Sequence, residues 1–87
     1  MRWEEIRQRY PYQWLLVEAT QAHTVDDQRI VEELEVLETY PDVMSGMRAY
    51  KELQRQNPFR ELYVLHTDRE TLDITETRSI GGPRITL

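Results

Sequence analysis

The chain has 87 residues, no cysteine, and 16 acidic against 11 basic side chains. One domain is expected at this length, and without cysteine there is neither a disulfide framework nor a thiolate metal site. The net charge of −5 argues against nucleic-acid binding, and no apolar run is long enough to span a membrane, so we expect a cytoplasmic protein with neither partner.

The first predicted elements are a short helix and a strand. Trp3, Ile6 and Tyr10 have the spacing of one helical face. Pro11 ends this helix, because the residue before a proline is pushed out of the helical conformation. The segment YQWLLVEA, residues 12–19, is rich in aromatic and branched side chains, which favours a strand. Both faces of this strand are apolar, so it lacks the alternation typical of a sheet with one face in water.

The segment RIVEELEVLETY, residues 29–40, is compatible with either a helix or a strand. Four apolar side chains have helical spacing: Ile30, Val31, Leu34 and Leu37. A strand would instead place a different set on one face: Ile30, Leu34, Val36 and Tyr40. The glutamates between them disfavour a strand, so the local pattern alone leans towards a helix.

A second helix and two more strands follow. Asp42 can cap this helix, and Val43, Met47 and Tyr50 line one of its faces. Pro58 ends it in the same way as Pro11 ends the first. The segment FRELYVLHT, residues 59–67, is a strand candidate with two apolar faces, and TLDITETRSI, residues 71–80, alternates as a strand does.

The two halves of the chain resemble each other at a shift of 47 residues. Five identical pairs relate residues 4–20 to residues 51–67: Glu5/Glu52, Pro11/Pro58, Leu15/Leu62, Val17/Val64 and Thr20/Thr67. The repeat favours a strand for residues 30–40. It predicts an α+β fold of two layers, αββαββ, with a four-stranded mixed or antiparallel sheet, two helices and an internal αββ pseudo-repeat. The helical crossover makes the second and third strands parallel. We expect one domain over residues 1–80 and a flexible C-terminal tail over 81–87.

Both histidines lie in similar stretches, HTVDD at residues 23–27 and HTDRE at residues 66–70. In each stretch the threonine hydroxyl could accept a hydrogen bond from the backbone N–H three residues further on, as in a capping box. We therefore expect two turns between structural elements. His66 should lie near the edge of the core face, and His23 on a more exposed bend.

Chemical roles for these residues are less well supported. His66, Arg69 and Glu70 are the candidates for a catalytic or ligand-binding site, because a histidine beside acids can transfer protons. A metal site would need the two histidines, 43 residues apart, together with Asp27 or Glu70, and that spacing matches no ligand pattern. No glycine-rich phosphate loop or nucleophile motif is present. We expect no metal, no cofactor and no catalytic residue.

Two blocks of the sequence are similar to a known family. Residues 3–24 contain W-x-E-I-R, Y-P-x-Q-W-L, E-A and A-H-T, and residues 66–74 read H-T-x-R-E-x-L-D-I. This pattern resembles a family of short uncharacterised proteins of photosynthetic bacteria. The resemblance implies a strand for residues 34–40 and no catalytic residue, because the function of that family is unknown. A looser likeness exists to small domains whose strand begins Y-P-G-K-W, with Tyr12 in place of the glycine.

The leading hypothesis for function comes from the apolar strands. Two helices on one face of the sheet would leave the other face open to a partner: Trp14, Leu16, Tyr63 and Leu65. This indicates a small non-enzymatic interaction module that forms a homodimer or binds a protein partner through an aromatic sheet face. In the alternative packing, one helix lies on each face or the tail covers the second face. An enzyme or ligand-binding unit at His66, Arg69 and Glu70, and an antitoxin-like regulatory partner, are the other two hypotheses.

Overall fold

The centre of the fold is a sheet of three antiparallel strands. A computed structural model describes residues 1–72 and 74–75. In chain order the elements are α1 (Trp3–Arg9), β1 (Trp14–Val25), β2 (Gln28–Tyr40), α2 (Val43–Gln56), β3 (Leu62–His66) and β4 (Ile74–Thr75). β1 lies in the middle and pairs with β2 on one side and β3 on the other. The two-residue β4 adds only two pairs, with Gln28 and Arg29, at the outer edge of β2.

The predicted α+β class is confirmed, but the predicted four-stranded sheet is wrong. Within the described residues, the second half of the chain supplies one full strand, β3, and the short strand β4 contributes two paired residues. β2 and β3 run in the same direction, since each is antiparallel to β1, but β1 separates them. In the described residues, the second αββ unit therefore consists of α2, β3 and the two-residue β4. Residues 76–80 of the predicted last strand and the predicted tail over 81–87 lie outside the described residues.

The two helices lie on opposite faces of the sheet, so the predicted two-layer arrangement is also wrong. One buried cluster contains the α1 side chains Trp3 and Ile6 together with alternate strand residues: Leu15, Val17, Leu34, Tyr63, Leu65 and Ile74. The other contains Tyr50 of α2 with the intervening strand residues: Leu16, Leu62 and Val64. Because each helix buries one face, the strands need apolar side chains on both faces.

The strand interpretation of residues 30–40 is confirmed, but the apolar side chains do not keep to one face. Three register shifts interrupt the pairing of β1 with β2 and leave Thr20, Glu32 and Leu37 as extra residues between opposed pairs. An extra residue of this kind reverses the faces of the residues that follow. The apolar side chains of β2 divide accordingly: Val31, Leu34 and Val36 towards α1, and Leu37 and Tyr40 towards α2.

Local sequence sets the helix ends as predicted. The Asp42 carboxylate accepts the Ser45 backbone N–H at 2.8 Å and caps α2. The residue before each proline ends its helix with nearly the same backbone angles. Tyr10, before Pro11, has φ −125° and ψ 66°, and Asn57, before Pro58, has φ −133° and ψ 72°. The repeated unit is thus a helix, a proline and a strand.

The β1–β2 hairpin turns at Asp26 and Asp27, which both have positive φ (47° and 66°), as a two-residue turn of this kind requires. The hairpin carries Arg29 to the beginning of β3, where its guanidinium binds the Glu61 carboxylate at 2.6 Å. None of the helices in the described part of the chain is long and apolar enough to cross a membrane.

A pair of isoleucine substitutions tests the packing of α1 on the sheet. We expect Ile6→Ala to lower the free energy of unfolding by about 2–5 kcal/mol, because Ile6 is fully buried and its loss leaves a cavity. Ile30→Ala is the matched control, and its effect should stay within about 0.5 kcal/mol because Ile30 is exposed. Urea denaturation measures both. Equal effects of the two substitutions would contradict the placement of α1.

Candidate functional site

The HTDRE stretch forms a tight turn after β3. The Nδ1 atom of His66 accepts the Asp68 backbone N–H at 3.0 Å, and the Arg69 backbone N–H donates to the His66 carbonyl at 3.1 Å. The Arg69 side chain donates to the Thr71 carbonyl at 2.9 Å, and Glu70 is exposed. His66 also packs edge-on against Trp14, with ring centroids 4.9 Å apart. These contacts shape a turn, and they engage the His66 nitrogen that a proton-transfer role at Nδ1 would need.

Thr67 is the buried centre of this turn, but it does not make the predicted capping box with Glu70. Its hydroxyl instead accepts the Gln13 backbone N–H at 3.0 Å, and its own N–H donates to the Gln13 carbonyl at 3.0 Å. Arg7 of α1 donates to the Thr67 carbonyl at 2.8 Å. The turn therefore fixes the α1–β1 connection to the end of β3.

The HTVDD stretch lies at the opposite end of β1. Asp26 and Asp27 form the hairpin turn, and the His23 ring is exposed beside Glu32, with Nδ1 2.6 Å from Oε1. Since His66 is next to Trp14 at the start of β1, the two histidines are separated by the length of that strand. Among residues 1–72 and 74–75, no group of three histidine or acidic side chains is placed to hold a metal ion.

The four residues of the predicted aromatic face are divided between the two faces of the sheet. Trp14 and Leu16 lie opposite His66 and Val64 and so belong to the α2 side, whereas Tyr63 and Leu65 belong to the α1 side. Leu16, Tyr63 and Leu65 are buried within the chain, and Trp14 is partly exposed. α1 and α2 thus cover the side chains that the sequence pattern predicted to contact a partner.

A different apolar side chain is fully open to solvent. Phe59 is 100% exposed in the connection between α2 and β3. It occupies the third position of a β-turn, residues 57–60, which we call the corner turn; the Arg60 N–H donates to the Asn57 carbonyl across it at 3.1 Å. Asn57 and Pro58 at the first two positions are residues that such turns favour.

Several hydrogen bonds hold the corner turn against the end of α2. The Gln54 side-chain amide donates to the carbonyls of both Asn57 and Arg60, each at 2.9 Å. The Asn57 side chain and backbone N–H both donate to the Leu53 carbonyl, at 3.2 and 2.9 Å. Phe59 is therefore carried on a backbone with a single well-supported conformation.

An ion pair ties the same turn to the sheet. The Arg60 guanidinium binds the Glu18 carboxylate of β1 through two hydrogen bonds, at 2.8 and 3.0 Å. These hydrogen bonds hold the pKa of Glu18 below its usual range, with the nearby positive charge adding to the effect and partial burial opposing it.

Tyr12 is the counterpart of Phe59 in the first half of the chain. It also follows a helix-ending proline, and it is 81% exposed. Its φ of 54° lies in the left-handed region that favours glycine, which matches the glycine of the Y-P-G-K-W pattern. The signal that could have identified both residues is an aromatic directly after a proline and before the strand begins.

Comparison with known proteins adds no relative. The chain matches no protein-family model, no curated protein and no solved structure. The resemblance to the family of short proteins of photosynthetic bacteria therefore stays a prediction.

Two threonine substitutions compare the two histidine turns. We expect Thr67→Val to lower the free energy of unfolding by about 1–3 kcal/mol, because it removes a buried hydroxyl and leaves the partly buried Gln13 N–H without its acceptor. Thr24→Val, next to the exposed hairpin turn, should cost about 0.5 kcal/mol or less, because the hydrogen bond that the Thr24 hydroxyl accepts from Arg29 is exposed to water. Urea denaturation of both variants gives the comparison. A larger loss at Thr24 would contradict the assignment of the structural turn.

The Glu18–Arg60 pair should make stability depend on pH. A lowered pKa in the folded state stabilises the protein above the ordinary carboxyl range, and this stabilisation is lost as the pH falls through the lowered pKa. We expect the stability difference between wild type and Glu18→Gln to be largest near neutral pH and to shrink below about pH 4. Glu70→Gln, at an exposed site, is the control. A difference that stays constant from pH 7 to pH 3 would count against the pair.

Proposed function

We propose that this protein is a small non-enzymatic interaction module whose contact with another protein is centred on Phe59. The observation that carries the proposal is a fully exposed phenylalanine on a turn held by hydrogen bonds to the helix before it. Water contact of a whole aromatic side chain is unfavourable, and burying one stabilises a complex by about 1.5–3 kcal/mol.

The rigidity of the corner turn strengthens the proposal. Binding costs conformational entropy when a side chain or loop must be ordered on contact. The Gln54 and Asn57 hydrogen bonds and the Arg60–Glu18 pair already order the backbone on both sides of Phe59. Aromatic residues presented in this way are typical of the few residues that dominate binding energy in an interface.

The other hypotheses receive less support from the geometry. The aromatic sheet face is covered by α1 and α2, so a contact there would require the helices to move. The described contacts of His66 and Arg69 stabilise a turn, and these contacts favour a structural role over an enzymatic or ligand-binding one. A homodimer and an antitoxin-like regulatory role are both forms of the present proposal, with a second copy or another protein in contact with Phe59.

A serine substitution at Phe59 tests the proposal. Sedimentation of the wild type over micromolar to millimolar concentrations first separates self-association from a monomer of 10.5 kDa. The wild type and Phe59→Ser are then compared as baits in lysate of the source cells, with quantitative mass spectrometry. We expect Phe59→Ser to reduce either the association constant of a dimer or the amount of at least one captured protein tenfold or more. This is the effect expected when a complex loses one buried aromatic side chain.

Tyr12→Ser is the matched control, since it removes the other exposed aromatic that follows a proline. Neither substitution should lower the thermal midpoint by more than about 2 °C, because surface side chains contribute little to folding. If Phe59→Ser keeps the same oligomeric state and captures the same proteins as the wild type, the proposed contact is wrong.

A further inference from the structure

The solvent side of α2 has an unusual composition for this chain. Four side chains recur at intervals of four, three and four residues and so form one stripe, which we call the α2 ridge: Met44, Arg48, Lys51 and Arg55. All four are exposed, and the exposed fraction of Met44 is 62%. The stripe extends about 17 Å along the helix. In the chain, Phe59 follows four residues after Arg55, in the corner turn beyond the C-terminal end of the helix.

Two of the cations on the ridge are open to a partner. Arg55 is bound by Glu52 of the same helix at 2.7 Å. Within the described part of the chain, Arg48 and Lys51 make no hydrogen bond or salt bridge, although the charge of Arg48 helps to hold the pKa of Asp42 low, after the larger effect of the Ser45 hydrogen bonds. A cationic ridge in a chain of net charge −5 is a local reversal of sign.

We infer that the α2 ridge binds an acidic segment of a partner protein, with carboxylates against Arg48 and Lys51 and apolar residues against Met44 and Phe59. This inference rests on the proposed function and adds the chemistry of the partner. Opposite charges steer such a segment towards the ridge and fix its register, while the apolar ends supply the area that is removed from water. A helix of about five turns is long enough to span the roughly 17 Å of the ridge and to extend past its C-terminal end.

Other occupants fit the surface less well. A nucleic acid binds through many phosphate contacts, and two open cations in an acidic chain supply few of them. A second copy could offer the exposed acids of β2, among them Glu32, Glu35 and Glu38. Glu32 is already bound by His23 and Gln21, so a second copy offers less free negative charge than a separate acidic segment. If the ridge did bind a second copy, sedimentation would show self-association that Arg48→Gln/Lys51→Gln reduces, and the assignment of a separate partner would be wrong.

The test uses the full chain and a fluorescein-labelled helical peptide of about 18 residues. The peptide carries three glutamates on one face at intervals of four and three residues and a leucine at each end of that face. We expect it to bind in the micromolar range, and to bind at least tenfold more weakly to Arg48→Gln/Lys51→Gln. Binding should also weaken as the salt concentration rises. The same peptide with glutamine in place of glutamate should not bind.

A double variant on α1, Arg2→Gln/Arg9→Gln, is the matched control. It also removes two positive charges from exposed sites, so its net charge equals that of the ridge variant. Equal weakening by both variants, no binding of the acidic peptide at high micromolar concentration, or preferred binding of a single-stranded oligonucleotide or of anionic vesicles would overturn the inference. If Phe59→Ser abolishes capture of a native partner but Arg48→Gln/Lys51→Gln does not, the proposed function stands and the ridge inference falls.

Discussion

The constraint on which the fold depends is that β1 is paired on both edges and apolar on both faces. Leu15 and Val17 point to one side and Leu16 to the other, and all three are buried. A central strand of this kind is stable only if something covers each face, because either face would otherwise expose a row of apolar side chains to water. The described part of the chain contains two helices, and one of them covers each face.

Which face each helix covers is decided by strand register. Leu15 and Leu62 occupy equivalent positions in the repeated unit of helix, proline and strand. Each packs in the cluster of the helix that precedes it, Leu15 with α1 and Leu62 with α2. In the antiparallel pairing of β1 with β3, Leu15 lies opposite Leu65, and Leu62 lies opposite Glu18. The two equivalent leucines are thus three positions apart along β1 and point to opposite faces. A shift of the register by one residue would have placed both helices on one face.

This is why the sequence predicted the elements better than their arrangement. The helix ends before Pro11 and Pro58, the Asp42 cap and the strand Leu62–His66 within the predicted segment 59–67 are local properties, and nearby residues determine them. Register and bulges depend on pairs distant in the chain. The three register shifts in the β1–β2 hairpin explain how a strand with so many glutamates, β2, still contributes to two clusters, a distribution that matches neither helical spacing nor strict alternation.

The candidate site follows from the same constraint. Because both faces of the sheet are covered from within the chain, the proposed partner would contact side chains outside the sheet. The α2 helix is well suited to this because it packs very closely: a Cβ at Gly46 would lie 3.2 Å from Val64 Cγ1 and 3.6 Å from Tyr40 Cδ2.

The same close packing makes the outer side of α2 a fixed surface. α2 packs closely on β3 at Gly46, and this contact holds the solvent side of the helix in place. The hydrogen bonds of Gln54 extend that order into the corner turn. The sequence pattern predicted an interface at apolar and aromatic residues in the strands, because a sequence shows where apolar residues are concentrated and not which of them are exposed. Exposure is a property of the assembled fold, and it distinguishes Phe59, which faces solvent, from Tyr63, which is buried only four residues later.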